Sequence, residues 1–273
     1  MTPYARHVFY VNHPDIESNA GQFRQDCGTA EKTIILGCYH SDQNGIFLYD
    51  VTDPRLAGVE QVTAAHEMLH AAYDRLSSKD RDYVDGLLQD YYKNQLKDQR
   101  ILDTIDSYRQ TEPNDVVNEM HSVFGTEVGN LPAPLENYYK RYFSDRSSVV
   151  NFANSYENEF TSREDQIKTY KAQLDQLKAS IDSQEADLSA QLQQINSDRA
   201  RLDSQRSSGQ IAEYNAGVGA FNQEVNQYNS SVGTLRRTIS QYNQLVDDYN
   251  SVAKELASLA QSLDSSLQTQ RTQ

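Results

Sequence analysis

In the stretch VTAAHEMLHAAYDRL, residues 62–76, three side chains have the type and spacing to do chemistry: His66, Glu67 and His70. On an α-helix two imidazoles four positions apart project from the same face, one turn apart, and can reach a single metal ion. Zinc bound by three protein ligands keeps a fourth position for water and lowers that water's pKa to about 7, so a neighbouring carboxylate can take its proton during attack on a peptide carbonyl. Glu67, on the adjoining edge of the helix, is that carboxylate and the general base. The bland alternative is a surface helix that happens to carry two histidines. The flanks argue against it: TAAHEMLHAA is apolar or small around both rings, and half-buried imidazoles need partners, which a metal supplies.

A third ligand is required. The segment NEMHS further along carries Glu119, which an antiparallel helix packing would bring to the first helix; Glu127, His121 and Asp74 are the competitors. A metzincin would need a third histidine six residues past His70, where Leu76 stands, so that class is excluded. VTAAHEMLHAAYD resembles the active-site helix of the thermolysin-like gluzincins, which also have Ala before the first His, Ala after the second and Asp four residues beyond it. NEMHS is similar to their Asn-Glu-x-x-Ser segment. The resemblance implies zinc bound by His66, His70 and Glu119, Glu67 as general base, and hydrolysis of peptide bonds in an extended substrate added to the nearest strand. It covers two short segments and has two departures. Val123 occupies the place of the Asp that orients the first zinc histidine in that family, and the gap from His70 to Glu119 is longer than in thermolysin. No motif marks an oxyanion stabiliser; His121 and a tyrosine are offered on residue type alone.

These residues must be positioned by a small α+β domain. Strand candidates rich in β-branched and aromatic residues are HVFYV at 7–11, TIILGC at 33–38 and GIFLYDV at 45–51. The last two are joined through Asn44-Gly45, a tight-turn signal that predicts a hairpin. From Val59 the apolar residues Val59, Val62, Ala65, Leu69, Ala72 and Leu76 recur at helical steps. A second helical region covers 79–108, with Gly86 as a weak point, and a third covers 114–125; NLPAPLENYYKRYF then supplies a turn and a helix start.

Beyond about residue 155 the composition shifts toward Gln, Ser, Asn and Asp, and a zincin-like domain is expected at 1–152 with a separate coiled coil at 153–273. Ile211, Val218, Val225, Val232, Ile239 and Val246 form one heptad seam; Tyr214, Phe221, Tyr228, Leu235, Tyr242 and Tyr249 form the other. Phe160, Ile167, Leu174, Ile181, Leu188, Ile195 and Leu202 recur likewise, with Tyr170, Leu177 and Leu192 in part of a second row. Gly209 in RSSGQ, residues 206–210, suits a reversal. An antiparallel hairpin about 75 to 80 Å long follows; its rival is a parallel dimer of one continuous rod.

Net charge is −14, from 39 acidic and 25 basic residues, so phosphate backbones and anionic lipid are repelled and nucleic acid is not expected as a partner. No apolar run is long enough to span a membrane as a helix. Cys27 and Cys38 are the two cysteines; a disulfide between them would contribute roughly 2 to 3 kcal/mol and favours an extracytoplasmic location, cell envelope or secreted, with the targeting segment outside this chain. The alternatives are reduced thiols and a cytoplasmic protein. The expected function is zinc-dependent peptide hydrolysis, with a peptide or protein substrate. The second reading is a non-catalytic structural or partner-binding coiled-coil protein whose zinc only stabilises a domain.

Overall fold

A computed structural model describes residues 1–28, 36–42, 45–111 and 113–264. The protein is mostly helical, with one small sheet and a helical hairpin. Two compact units are present: Met1–Ser162 with the stretch beginning at Leu256, and Arg163–Glu255. The expected domain boundary at 152 lies inside a helix, Arg146–Ser207.

In the first unit, α1 (Pro3–Tyr10) replaces the strand expected at 7–11. The β-branched and aromatic content of that segment is outweighed by a helix start: Pro3 sits in the first turn, and Thr2 caps it by accepting from the Ala5 N–H at 3.2 Å. Ala5 and Val8, three apart, are its buried face. Two short elements have no counterpart in the sequence pattern, β1 (Asp15–Glu17) and α2 (Ala20–Cys27). Asn19 caps α2, its side chain accepting from Gly21 N and Gln22 N at 2.8 and 3.0 Å.

β2 (Gly37–His40) and β3 (Gly45–Tyr49) form the expected antiparallel pair, with Gly37 opposite Leu48 and His40 opposite Gly45. Residues 33–35 of the expected strand and Asn44 of the expected turn lie outside the described residues. β1 joins the other side of β3 in parallel, giving the order β1-β3-β2. The disulfide between Cys27 and Cys38 is formed, with Cα atoms 5.6 Å apart, and ties the end of α2 to β2.

α3 (Val59–Asp74) carries both histidines. The single helical region expected over 79–108 is two helices, α4 (Ser78–Asn94) and α5 (Gln99–Thr111); the second starts where Asp98 accepts from Arg100 N at 3.0 Å. Gly86 does not interrupt α4. α6 (Val116–Glu127) and α7 (Ala133–Tyr139) follow. Met68, Leu69 and Ala72 of α3 meet Leu88, Ile101, Ile105, Val123, Phe124 and Tyr139 in the main core, with Ile46 and Leu48 from β3.

α8 (Arg146–Ser207) and α9 (Ile211–Leu263) are the long helices. Gly209, at φ +80°, occupies the left-handed region between them, as the expected reversal requires. In the second unit they run antiparallel. Gln184 pairs with Thr238 at 3.1 Å and Gln191 with Ser231 at 3.4 Å, so position falls on one helix as it rises on the other. Leu188 and Leu202 are buried, but Leu192 is 44 % exposed, and the second row continues through Gln184, Gln191 and Asp198 instead. No described helix is long and apolar enough to cross a membrane.

Candidate metal centre

The centre begins with the approach of α3 to α6. A Cβ on Gly125 would stand 2.5 Å from Leu69 Cδ1 and 2.8 Å from Tyr139 Cε1, so only glycine lets these helices come this close. They are antiparallel: Leu69 meets Gly125, and one turn on, the Tyr73 ring lies 5.3 Å from that of His121. This packing brings Glu119 across to the two histidines.

His66 Nε2 is 3.6 Å from Glu119 Oε2, and His70 Nε2 is 3.4 Å from Glu119 Oε1. The three donor atoms lie within 4.8 Å of one another. Two ligand atoms each about 2.0 to 2.1 Å from a tetrahedral ion are separated by roughly 3.3 Å; the two histidine–carboxylate pairs stand close to that edge, each on its own carboxylate oxygen. Glu119 Oε2 is buried without a hydrogen-bond partner, a cost that coordination would remove. Burial pushes the Glu119 carboxyl up, but the charge on His70, the neighbouring His66 and a hydrogen bond from Tyr108 together hold it below its ordinary value. It is therefore in the anionic form a metal requires.

Glu67 is buried beside the triad and lines the same cavity, about 580 Å³ in volume. Its neighbour is β2: a Cβ on Gly37 would fall 2.5 Å from Thr63 Cγ2 and 3.1 Å from Glu67 Oε1. Glycine at this position lets the strand press against the helix that bears Glu67. β2 pairs with β3 on one side, and Gly37, Cys38, Tyr39 and His40 contribute atoms to the cavity lining.

Among the described residues the competing third ligands do not join the His66, His70 and Glu119 cluster. His121 is fully buried, its Nε2 2.9 Å from Tyr138 Oη and its ring packed against Tyr73, Tyr139 and Tyr142. Burial, aided by the charges of His70 and His66, pushes it down to about 3, so it stays neutral; sealed in this cage, it does not reach the cavity that Glu67 and the triad line. Glu127 is paired with Arg100 at 2.5 Å. Asp74 lies at the exposed rim. Val123 is buried in the apolar core and supplies no group to orient His66.

Sequence reasoning missed Tyr108 from α5 and Asn118 and Asp115 at the start of α6, all in the cavity wall. Asn118 Nδ2 donates to Asp115 Oδ2 at 3.0 Å. Asp115 stands three residues before Asn118 and four before Glu119, one helical turn, and that spacing is the only signal the chain gives of either.

Comparison with family models, with curated proteins and with solved structures found no match. The fold and the site define a helix-rich α+β protein with a His-His-Glu cluster able to hold a metal ion.

Proposed function

We propose that the first unit is a zinc-dependent peptide-bond hydrolase of the gluzincin type, a metalloendopeptidase with His66, His70 and Glu119 as ligands and Glu67 as general base. The observation that carries this reading is the convergence of one donor atom from each of the three residues, all within 4.8 Å of one another, with a further buried carboxylate, Glu67, in the same cavity wall. When bound, zinc supplies a Lewis acid and acidifies a water molecule. Glu67 takes a proton from the attacking water and returns it to the departing amine. The edge of β2 that pairs with no described strand offers backbone N–H and C=O groups to an extended peptide, holding its scissile bond across the triad. The disulfide supports an oxidising, extracytoplasmic setting for the reaction.

Metal analysis of the purified wild type beside His66→Ala tests the ligand set: about one zinc per chain is expected in the first and none in the second. Glu67→Gln keeps its zinc and loses peptide turnover. Wild-type protein without stoichiometric zinc removes both the site and the enzyme.

A further inference from the structure

The hydrolase chemistry leaves one reactive pair in the cavity wall unused. Cys27 and Cys38, joined as a disulfide, contribute to the same lining as His66, His70, Glu119 and Glu67. Both cysteines are half-buried and stand outside the fully buried cores, and Cys27 ends α2 beside the exposed Gly28. A disulfide at a cavity wall, unlike one sealed in a core, is placed for exchange with an incoming thiol.

His40 adds a proton donor to the bond. Side chains two apart on a strand share a face, and on β2 this sets the His40 ring beside Cys38, with Nε2 3.6 Å from Sγ. A disulfide sulfur carries no hydrogen, so the contact is a ring N–H directed at the sulfur. An imidazole in that place serves the thiolate released when the bond breaks, which makes Cys38 the leaving sulfur and Cys27 the one attacked.

Gly37, on the other face of β2, bears on Thr63 and Glu67 of α3. α2 is itself anchored, since Phe23 is fully buried with its ring 5.4 Å from that of Tyr49 in β3. The disulfide is the covalent tie between this fixed helix and the strand. Without it β2 keeps only its pairing with β3 and its packing on α3.

We propose that Cys27–Cys38 is a thiol–disulfide exchange site, opened by a dithiol with the help of His40, and that opening it loosens the peptide-holding strand without releasing the metal ligands. The second half rests on the peptide-hydrolase reading; the first does not. A thiolate of the dithiol attacks Cys27 Sγ, the S–S bond breaks, and Cys38 leaves as a thiolate that takes the Nε2 proton of protonated His40. The imidazole is reprotonated by the proton that the attacking thiol gave up to solvent. The second thiol then ionises and displaces Cys27, which takes that proton through solvent, and the reagent ends as a cyclic disulfide. Two electrons and two protons pass from the dithiol to the protein.

The test uses the full zinc-loaded chain, with dithiothreitol as the dithiol and thiols counted by alkylation and mass spectrometry under native conditions. Both cysteines become alkylated while circular dichroism and zinc content hold steady. His40→Gln, which stays polar but hands over no proton, slows reduction roughly 3- to 10-fold. Reduced protein cleaves peptide about 10-fold more slowly than oxidised protein. The Cys27→Ser, Cys38→Ser double variant keeps its zinc and is slow with or without dithiothreitol, which separates strand loosening from any action of the reagent on the metal. A disulfide that resists dithiothreitol until the protein unfolds, or His40→Gln reduced at the wild-type rate, overturns the exchange site. Equal turnover before and after reduction, or a folded double variant that binds no zinc, overturns the coupling to the strand. If the double variant fails to fold, thiol kinetics and turnover of the wild type still decide. Failure of the hydrolase reading is seen separately: oxidised, zinc-loaded protein then cleaves no peptide, the coupling falls with it, and the exchange site stands on its thiol kinetics.

Discussion

The compact first unit and the hairpin of the second are both built largely of helices, yet they treat polar side chains in opposite ways. In the first, Glu67, His70, Asn118 and Glu119 are buried next to one another in one cavity wall, where low dielectric makes each unsatisfied group costly and each ligand bond strong. In the hairpin, Gln184, Gln191, Thr238 and Ser231 occupy the seam and bond across it. Two helices alone leave most seam positions half-buried, so such bonds cost little and serve to fix the register of the pair. A helix packed on several sides can hold a group in place for chemistry; a helix packed on one side can only choose how it aligns.

Four substitutions would break or sharpen that contrast. His66→Ala has the largest effect expected: loss of stoichiometric metal, and with it about 3 kcal/mol or more of ligand-linked stability in excess zinc, read by metal analysis and thermal melts with and without zinc. An unchanged zinc content would sink the triad. Gly125→Ala wedges a methyl between Leu69 and Tyr139 and should cost roughly 1 to 3 kcal/mol in a denaturant titration, with a weaker zinc affinity because α3 and α6 separate. A neutral result would mean that the helix approach does not set the site.

Glu17→Gln is expected to act through pH. Burial first, then the hydrogen bond and charge of Asp26 and the charge of Asp15, push the Glu17 carboxyl up to about 7 from 4.5. A raised carboxyl binds its proton more tightly in the folded state, so its contribution to stability is fully present below pH 4.5 and is lost as pH rises through 7. Glutamine should therefore stabilise by about 2 kcal/mol more at pH 8 than at pH 4.5, and parallel stability curves for the two proteins would refute it. The smallest effect belongs to the hairpin. Gly219→Ala adds a methyl where nothing lies within 4 Å, and should raise stability by up to ~1 kcal/mol; destabilisation there would show a packing constraint that the half-buried seam does not suggest.

The sequence was most legible where one periodicity ran long. The helix of His66 and His70 begins at Val59 as its apolar spacing predicts, and the heptads of residues 211–263 follow one helix. It was least legible in short elements. HVFYV has strand-like composition but follows a capped proline, and three-residue β1 exists only through its partner β3. Glu119 was preferred to Glu127, His121 and Asp74 on an expected antiparallel helix packing, to which the resemblance of NEMHS added, and it lies against both histidines. Asp115 and Asn118 were passed over because nothing in a one-dimensional pattern says which face of α6 lines a cavity.

What the sequence by itself determined is local: the spacing that puts two imidazoles on one helical face, the cap and glycine signals at helix ends, and the reversal at Gly209. What only the tertiary structure decided is everything that joins distant segments. Gly125 and Gly37 set how near α6 and β2 approach α3, and that nearness sets Glu119 against the two histidines and makes a cavity wall of Asp115 and Asn118. Backbone preferences act over one or two turns and are written residue by residue, whereas the distance between two packed helices depends on the volumes of side chains that the chain brings together only on folding.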